Sequence, residues 1–168
     1  MKQHRKIVIW GYIVEFVLAG LVQIAAILIW DADKVTNFVS ETAGAWAAFA
    51  GVLLAAALAI WIVLFQVATT PFGEWLMWRK AMHVYSRAFA YDVIIYATGT
   101  VLLIICMSIK SSQMLAHAAL FVLLLGTVNL VTMVKTTKEL LDLQAEFRRQ
   151  QKEFERSNPN PLKEPEKR

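Results

Sequence analysis

Five polar side chains stand inside stretches that are otherwise apolar: Glu15, Gln23, Asp92, Tyr96 and Asn129. Two are carboxylates, and a carboxylate in such surroundings has three chemistries open to it. It can carry a proton or ion, clamp helices through hydrogen bonds, or serve as acid or base on a lipid. Glu15 sits in IVIWGYIVEFVLAG, residues 7–20. Near a helix centre a carboxylate costs roughly 2.5–3.5 kcal/mol on an insertion scale, taking the Asp value as proxy. Against this, each of the fourteen Leu, Ile, Val and Phe residues of 7–30 returns roughly 0.3–0.6 kcal/mol, so the helix still inserts. At four-residue steps from Glu15 come Gly11, Ala19 and Gln23, a small and polar stripe suited to contact with other helices. Glu15 is therefore expected to face protein or a wet cavity.

Other chemistry is not signalled. The chain has no H-E-x-x-H, no G-x-S-x-G and no Gly-rich phosphate loop. The single Cys106 allows no internal disulfide and reads as packing. His4, His83 and His117 fall at three different depths, so they offer no matched pair for a haem. No cofactor and no metal are expected. The net charge of +4 is accounted for by the distribution of basic residues between membrane spans, which argues against nucleic acid as a partner.

The elements that must position these groups follow from composition. With 58% hydrophobic and 18% charged residues, the 168-residue chain is too apolar for an ordinary soluble fold. Four runs, 7–30, 43–68, 88–109 and 114–134, are long enough to cross a hydrocarbon core of roughly 30 Å. The first is too long for a cleaved signal segment and ends in ILIWDAD without a small-residue cleavage site, so it reads as a retained span. Charges alternate between the spans. Lys2, Arg5 and Lys6 precede the first; Asp31, Asp33 and Glu41 outweigh Lys34 in the first loop; Arg79, Lys80 and Arg87 outweigh Glu74 in the second; Lys135 and Lys138 follow the last. By the positive-inside rule both termini are cytoplasmic. This topology gathers Glu15, Asp92, Tyr96, Asn129 and Gln66 into one inner-leaflet layer, with Gln23 in the outer half.

Three surfaces invite partners. Ala43, Ala47, Gly51, Ala55 and Ala59 form a small-residue ridge along the second span, fitted to close helix packing. Thr70 and Pro71 start a helix before the third span, expected to be amphipathic and interfacial. On it Arg79, His83 and Arg87 make a basic ridge for anionic lipid or an acidic partner. After the fourth span, good helix formers run without Gly or Pro to Ser157, and Leu140, Leu143, Phe147 and Phe154 fall at a/d-like spacing for association.

The expected protein is thus an all-α integral membrane protein of four transmembrane helices with cytoplasmic N- and C-termini, an interfacial amphipathic helix before the third span and a C-terminal helix projecting into the cytoplasm. Residues 1–138 form the transmembrane domain, 139–156 a cytoplasmic amphipathic helix and 157–168 a disordered tail. The expected location is a cell membrane, the bacterial inner membrane foremost, and the expected partners are membrane lipids and a homo-oligomer or larger membrane complex. Three functions compete. The first is a non-catalytic component, as a subunit of a larger complex or a self-assembling effector or immunity-type protein. The second is an oligomeric proton or ion transport element using Glu15 and Asp92. The third is a lipid-modifying enzyme.

Overall fold

The computed structural model describes residues 2–109 and 112–157, with side chains from Tyr12 onward. It is all-helical, with no strand among the described residues. Five helices follow in order: α1 Lys2–Trp30, α2 Ala32–Ala68, α3 Pro71–Trp78, α4 Met82–Ser108 and α5 Gln113–Ser157. Of these, α1, α2, α4 and α5 are long and apolar enough to cross a membrane.

The joints follow from local chemistry. Between α1 and α2 only Asp31 leaves helical geometry. Its φ is 69°, and its carboxylate accepts the Ala32 N–H at 2.8 Å as an N-cap. The expected acidic loop before residue 43 is therefore helical from Ala32 on. The reason is that Val35 and Val39 extend the apolar stripe of α2 backwards, and both are buried. At the far end, Thr70 caps α3: its Oγ1 accepts the Gly73 N–H at 3.2 Å and donates to the Val67 carbonyl at 2.6 Å, with Pro71 at the first helical position. Lys80, with φ 57°, then ends α3, and α4 starts at Met82. The segment before the third span is therefore broken at Lys80, so Arg79 caps α3 while His83 and Arg87 ride on α4.

Packing is written in sevens. Thr36, Ala43, Ala50, Ala57 and Leu64 are the buried line of α2; Met82, Phe89, Tyr96 and Leu103 are that of α4, flanked by Asp92, Gly99 and Cys106. A seven-residue repeat keeps one seam facing its partner along the whole helix. Alanines on the α2 seam leave room for Phe89 and Leu103, which are fully buried. In lipid such association rests on van der Waals packing and interhelical hydrogen bonds rather than on water exclusion. The helices alternate in direction. Gln23 and Glu15 of α1 meet residues 117 and 132 of α5, while Asp92 and Tyr96 of α4 meet residues 129 and 126. The amino end of α1, the end of α2, α3 and the distal part of α5 thus share one end of the bundle.

The ridge at four-residue steps does not form one contact line. Ala43 is buried, Ala47 and Gly51 are half-buried, and Ala55 and Ala59 are exposed. Four residues advance a helix by about 40° beyond a full turn, so a four-step series winds off the seam that a seven-step series holds.

Candidate functional site

Where α1, α4 and α5 meet lies a layer of buried polar groups. Glu15 on α1 and Asp92 on α4 are each 4% exposed, and Asn129 on α5 is 0% exposed. Asn129 Nδ2 donates to Asp92 Oδ1 at 2.7 Å, and the Thr132 hydroxyl donates to Glu15 Oε1. Asn129 and Thr132 are three residues apart, hence on one face of α5. The two carboxylates lie within electrostatic range of each other and of Tyr12, Tyr91 and Tyr96. The Tyr12 and Tyr91 rings pack with centroids 4.3 Å apart, at the edge of the layer.

Three of the five polar residues singled out by sequence, Glu15, Asp92 and Asn129, are brought together. Tyr96 is adjacent, but its hydroxyl is spent on the Gly126 carbonyl at 3.2 Å. Gln23 lies about two turns away and makes a separate contact between α1 and α5, its Nε2 donating to the His117 carbonyl at 2.9 Å. Thr132 and Tyr91 were not legible as members. Threonine occurs four times between residues 127 and 137, and only the rotation of α5 decides which one meets Glu15. Asp92 does not take its partner from Arg87 or Lys135, both of which are exposed.

The hydrogen bonding of the layer is incomplete. Glu15 Oε2 and Asn129 Oδ1 are buried with no partner, as is the His117 Nδ1 beside the Gln23 contact. Among the described residues the ion pairs are Arg79–Glu146, at 3.7 Å, and Arg149–Glu153, at 3.1 Å, so neither intramembrane carboxylate has a cationic neighbour in one. No group of three or more His, Cys, Asp and Glu side chains converges as a metal site among the described residues.

A second assembly sits at the α3 end. Leu76 of α3 is fully buried, and Phe72 and Trp75 pack with Phe147 of α5, ring centroids 5.6 Å apart in both pairs. Arg79 lies over the Trp75 ring at 4.0 Å and reaches Glu146. Arg79, His83 and Arg87 thus share no single ridge: Arg79 is engaged with α5, whereas His83 and Arg87 are exposed on α4. The set Leu140, Leu143, Phe147 and Phe154 divides too. The first three pack against the core, and Phe154 stands 68% exposed. Of the expected disordered tail, 157–168, Ser157 is still helical as the last residue of α5, and residues 158–168 lie outside the described residues.

Compared with family models, with curated proteins and with solved structures, the chain matches none.

Proposed function

We propose that this chain is a non-catalytic, multi-pass membrane component that assembles with other chains through the free end of α5, as a subunit of a larger complex or a self-assembling effector or immunity-type protein. One observation carries the reading. The line Ala119, Gly126, Met133, Leu140 and Phe147 packs inward at successive heptads, and the next member, Phe154, stands on a helix end exposed from Arg148 to Ser157. A helical stretch of this length is marginal without packing, even with the Arg149–Glu153 pair and the Gln150–Glu146 and Gln151–Glu155 hydrogen bonds supporting it. A partner helix continuing the seam past Phe147 supplies that packing.

The charge pattern supports the orientation. Lys2, Arg5, Lys6, Arg79, Lys80, Arg87, Lys135 and Lys138 all belong to the end of the bundle that holds α3, and Asp31 and Asp33 to the other. Under the positive-inside rule both termini, α3 and the exposed end of α5 are cytoplasmic, α3 lies at the membrane interface, and the location is a cell membrane such as the bacterial inner membrane. Native mass spectrometry of the full chain and of a chain ending at Arg148, extracted from their own membrane, tests the reading. A partner or oligomer lost on shortening supports it; identical assemblies refute it.

The Glu15–Asp92 pair favours a second reading, an oligomeric proton or ion transport element. Its measurement is flux through vesicles holding the assembled protein, expected to vanish with Glu15→Gln.

A further inference from the structure

The polar layer between α1, α4 and α5 holds two buried acceptors that no donor meets. Thr132 supplies one hydrogen bond to Glu15 and Asn129 one to Asp92, which leaves Glu15 Oε2 and Asn129 Oδ1 buried with nothing to accept. A buried acceptor without a donor loses its hydration and gains nothing in return. The charge is unbalanced as well. If both carboxylates ionise, two negative charges sit together in a low-dielectric interior, and among the described residues neutral side chains face them.

Among the described residues, the surroundings offer no cation from the protein itself. From α1 the titratable neighbour is Tyr12, and from α4 they are Tyr91 and Tyr96. The α5 face presents Asn129 and Thr132, neither of them ionisable, and Lys135, a turn further on, is exposed. No charged residue occurs on α2 after Glu41, and the charged groups of the α3 segment, Glu74, Arg79 and Lys80, are exposed.

A single proton removes both deficits, because it cancels one charge and converts one acceptor into a donor. We infer that the layer is a proton-binding site centred on Glu15. The carboxylate takes a proton from hydronium, releasing water, at the Oε2 that the Thr132 hydroxyl leaves unused. The new O–H is the donor the layer lacks, and Asn129 Oδ1, one turn from Thr132 on the same α5 face, is the acceptor left open for it. Being the smallest cation, the proton needs no coordination shell of converging ligands. The site stands apart from assembly through the exposed end of α5, and it exists whether or not the chain conducts.

pH-difference infrared spectroscopy of the full chain in lipid vesicles reads the proton directly, through the carbonyl stretch of a protonated buried carboxyl. The expected band shifts with 13C-labelled Glu and not with 13C-labelled Asp, and is lost in Glu15→Gln. Thr132→Val keeps the band and moves its frequency, because the Thr132 hydroxyl no longer donates to the same carboxyl. The isotope labels need no mutation, so the result stands even where Glu15→Gln fails to fold. Absence of any titrating buried-carboxyl band overturns the inference. A band that follows labelled Asp places the proton on Asp92 and overturns the assignment to Glu15. Loss of the band on adding sodium at constant pH makes a metal cation the occupant and overturns the proton. Glu15→Gln that removes the band while an assembled vesicle system still carries flux separates this site from the transport reading.

Discussion

Asn129 is the side chain on which the polar layer turns, because it is fully buried and uses its one observed hydrogen bond on Asp92. Asn129→Ala strands Asp92 Oδ1 without a donor. The expected loss is about 1–2 kcal/mol, read as a lower Tm in detergent, with Asp92→Asn in the same background restoring part of it. Gly73 makes a different kind of demand. A Cβ there would run into the Val67 carbonyl oxygen and come within 2.6 Å of Ala68 Cα, both of them backbone. No side-chain rotation relieves such a clash, so the joint between α2 and α3 must open. Gly73→Ala is expected to cost about 1–3 kcal/mol and to raise amide exchange across α3, and a variant as stable as the parent would contradict the joint as described. The Thr70–Pro71 start of this helix was legible in the sequence, since capping is a local matter settled within four residues. The close approach at Gly73 was not, because nothing in the text says that α2 folds back on it.

Helices in this protein are held by seams of unequal quality. The α2–α4 seam is long, lined with alanine on one side and with Phe89, Tyr96 and Leu103 on the other. Among the described residues, α1 is held to the bundle by Glu15 and Gln23 through hydrogen bonds, by the fully buried Ala19, by Phe16 against Phe121 at 4.8 Å and by Tyr12 against Tyr91. Leu21, Leu28 and Ile29 point outward and suit lipid. The small-residue ridge of α2 shows what periodicity can and cannot fix. That small residues mark close packing was legible, and Ala43 lies where two helices meet. Which of two overlapping series carries the contact was not, since alanine occurs at 43, 50 and 57 as well as at 43, 47, 55 and 59. At Gly51 an added Cβ meets nothing within 4 Å. Gly51→Leu is therefore expected to leave the stability of the single chain within about 1 kcal/mol of the parent, with little change in Tm. A fall in oligomer mass with unchanged Tm would assign the Gly51 face to a second copy.

Taken whole, the molecule is a bundle crossed by one helix that outruns it. At 1.5 Å per residue the 45 residues of α5 span roughly 68 Å, about twice a hydrocarbon core. Its part beyond the fourth span is not uniform. Leu140, Leu143 and Phe147 are tied to α3 and the core, so ending the chain at Lys138 is expected to lower Tm, whereas ending it at Arg148 leaves Tm unchanged and alters only assembly. Equal Tm values for the two shortened chains would mean that the α3–α5 contact carries no stability. Four helices able to cross a membrane, and the polar residues set among them, were readable from composition and spacing, because insertion depends on the summed transfer energy of a run and helix periodicity is a property of the backbone itself. The break at Lys80, the helical start of α2 and the choice of Thr132 for Glu15 were not. Each depends on how far one helix is rotated and slid against another, and that is set by side chains distant in the chain acting together across a seam.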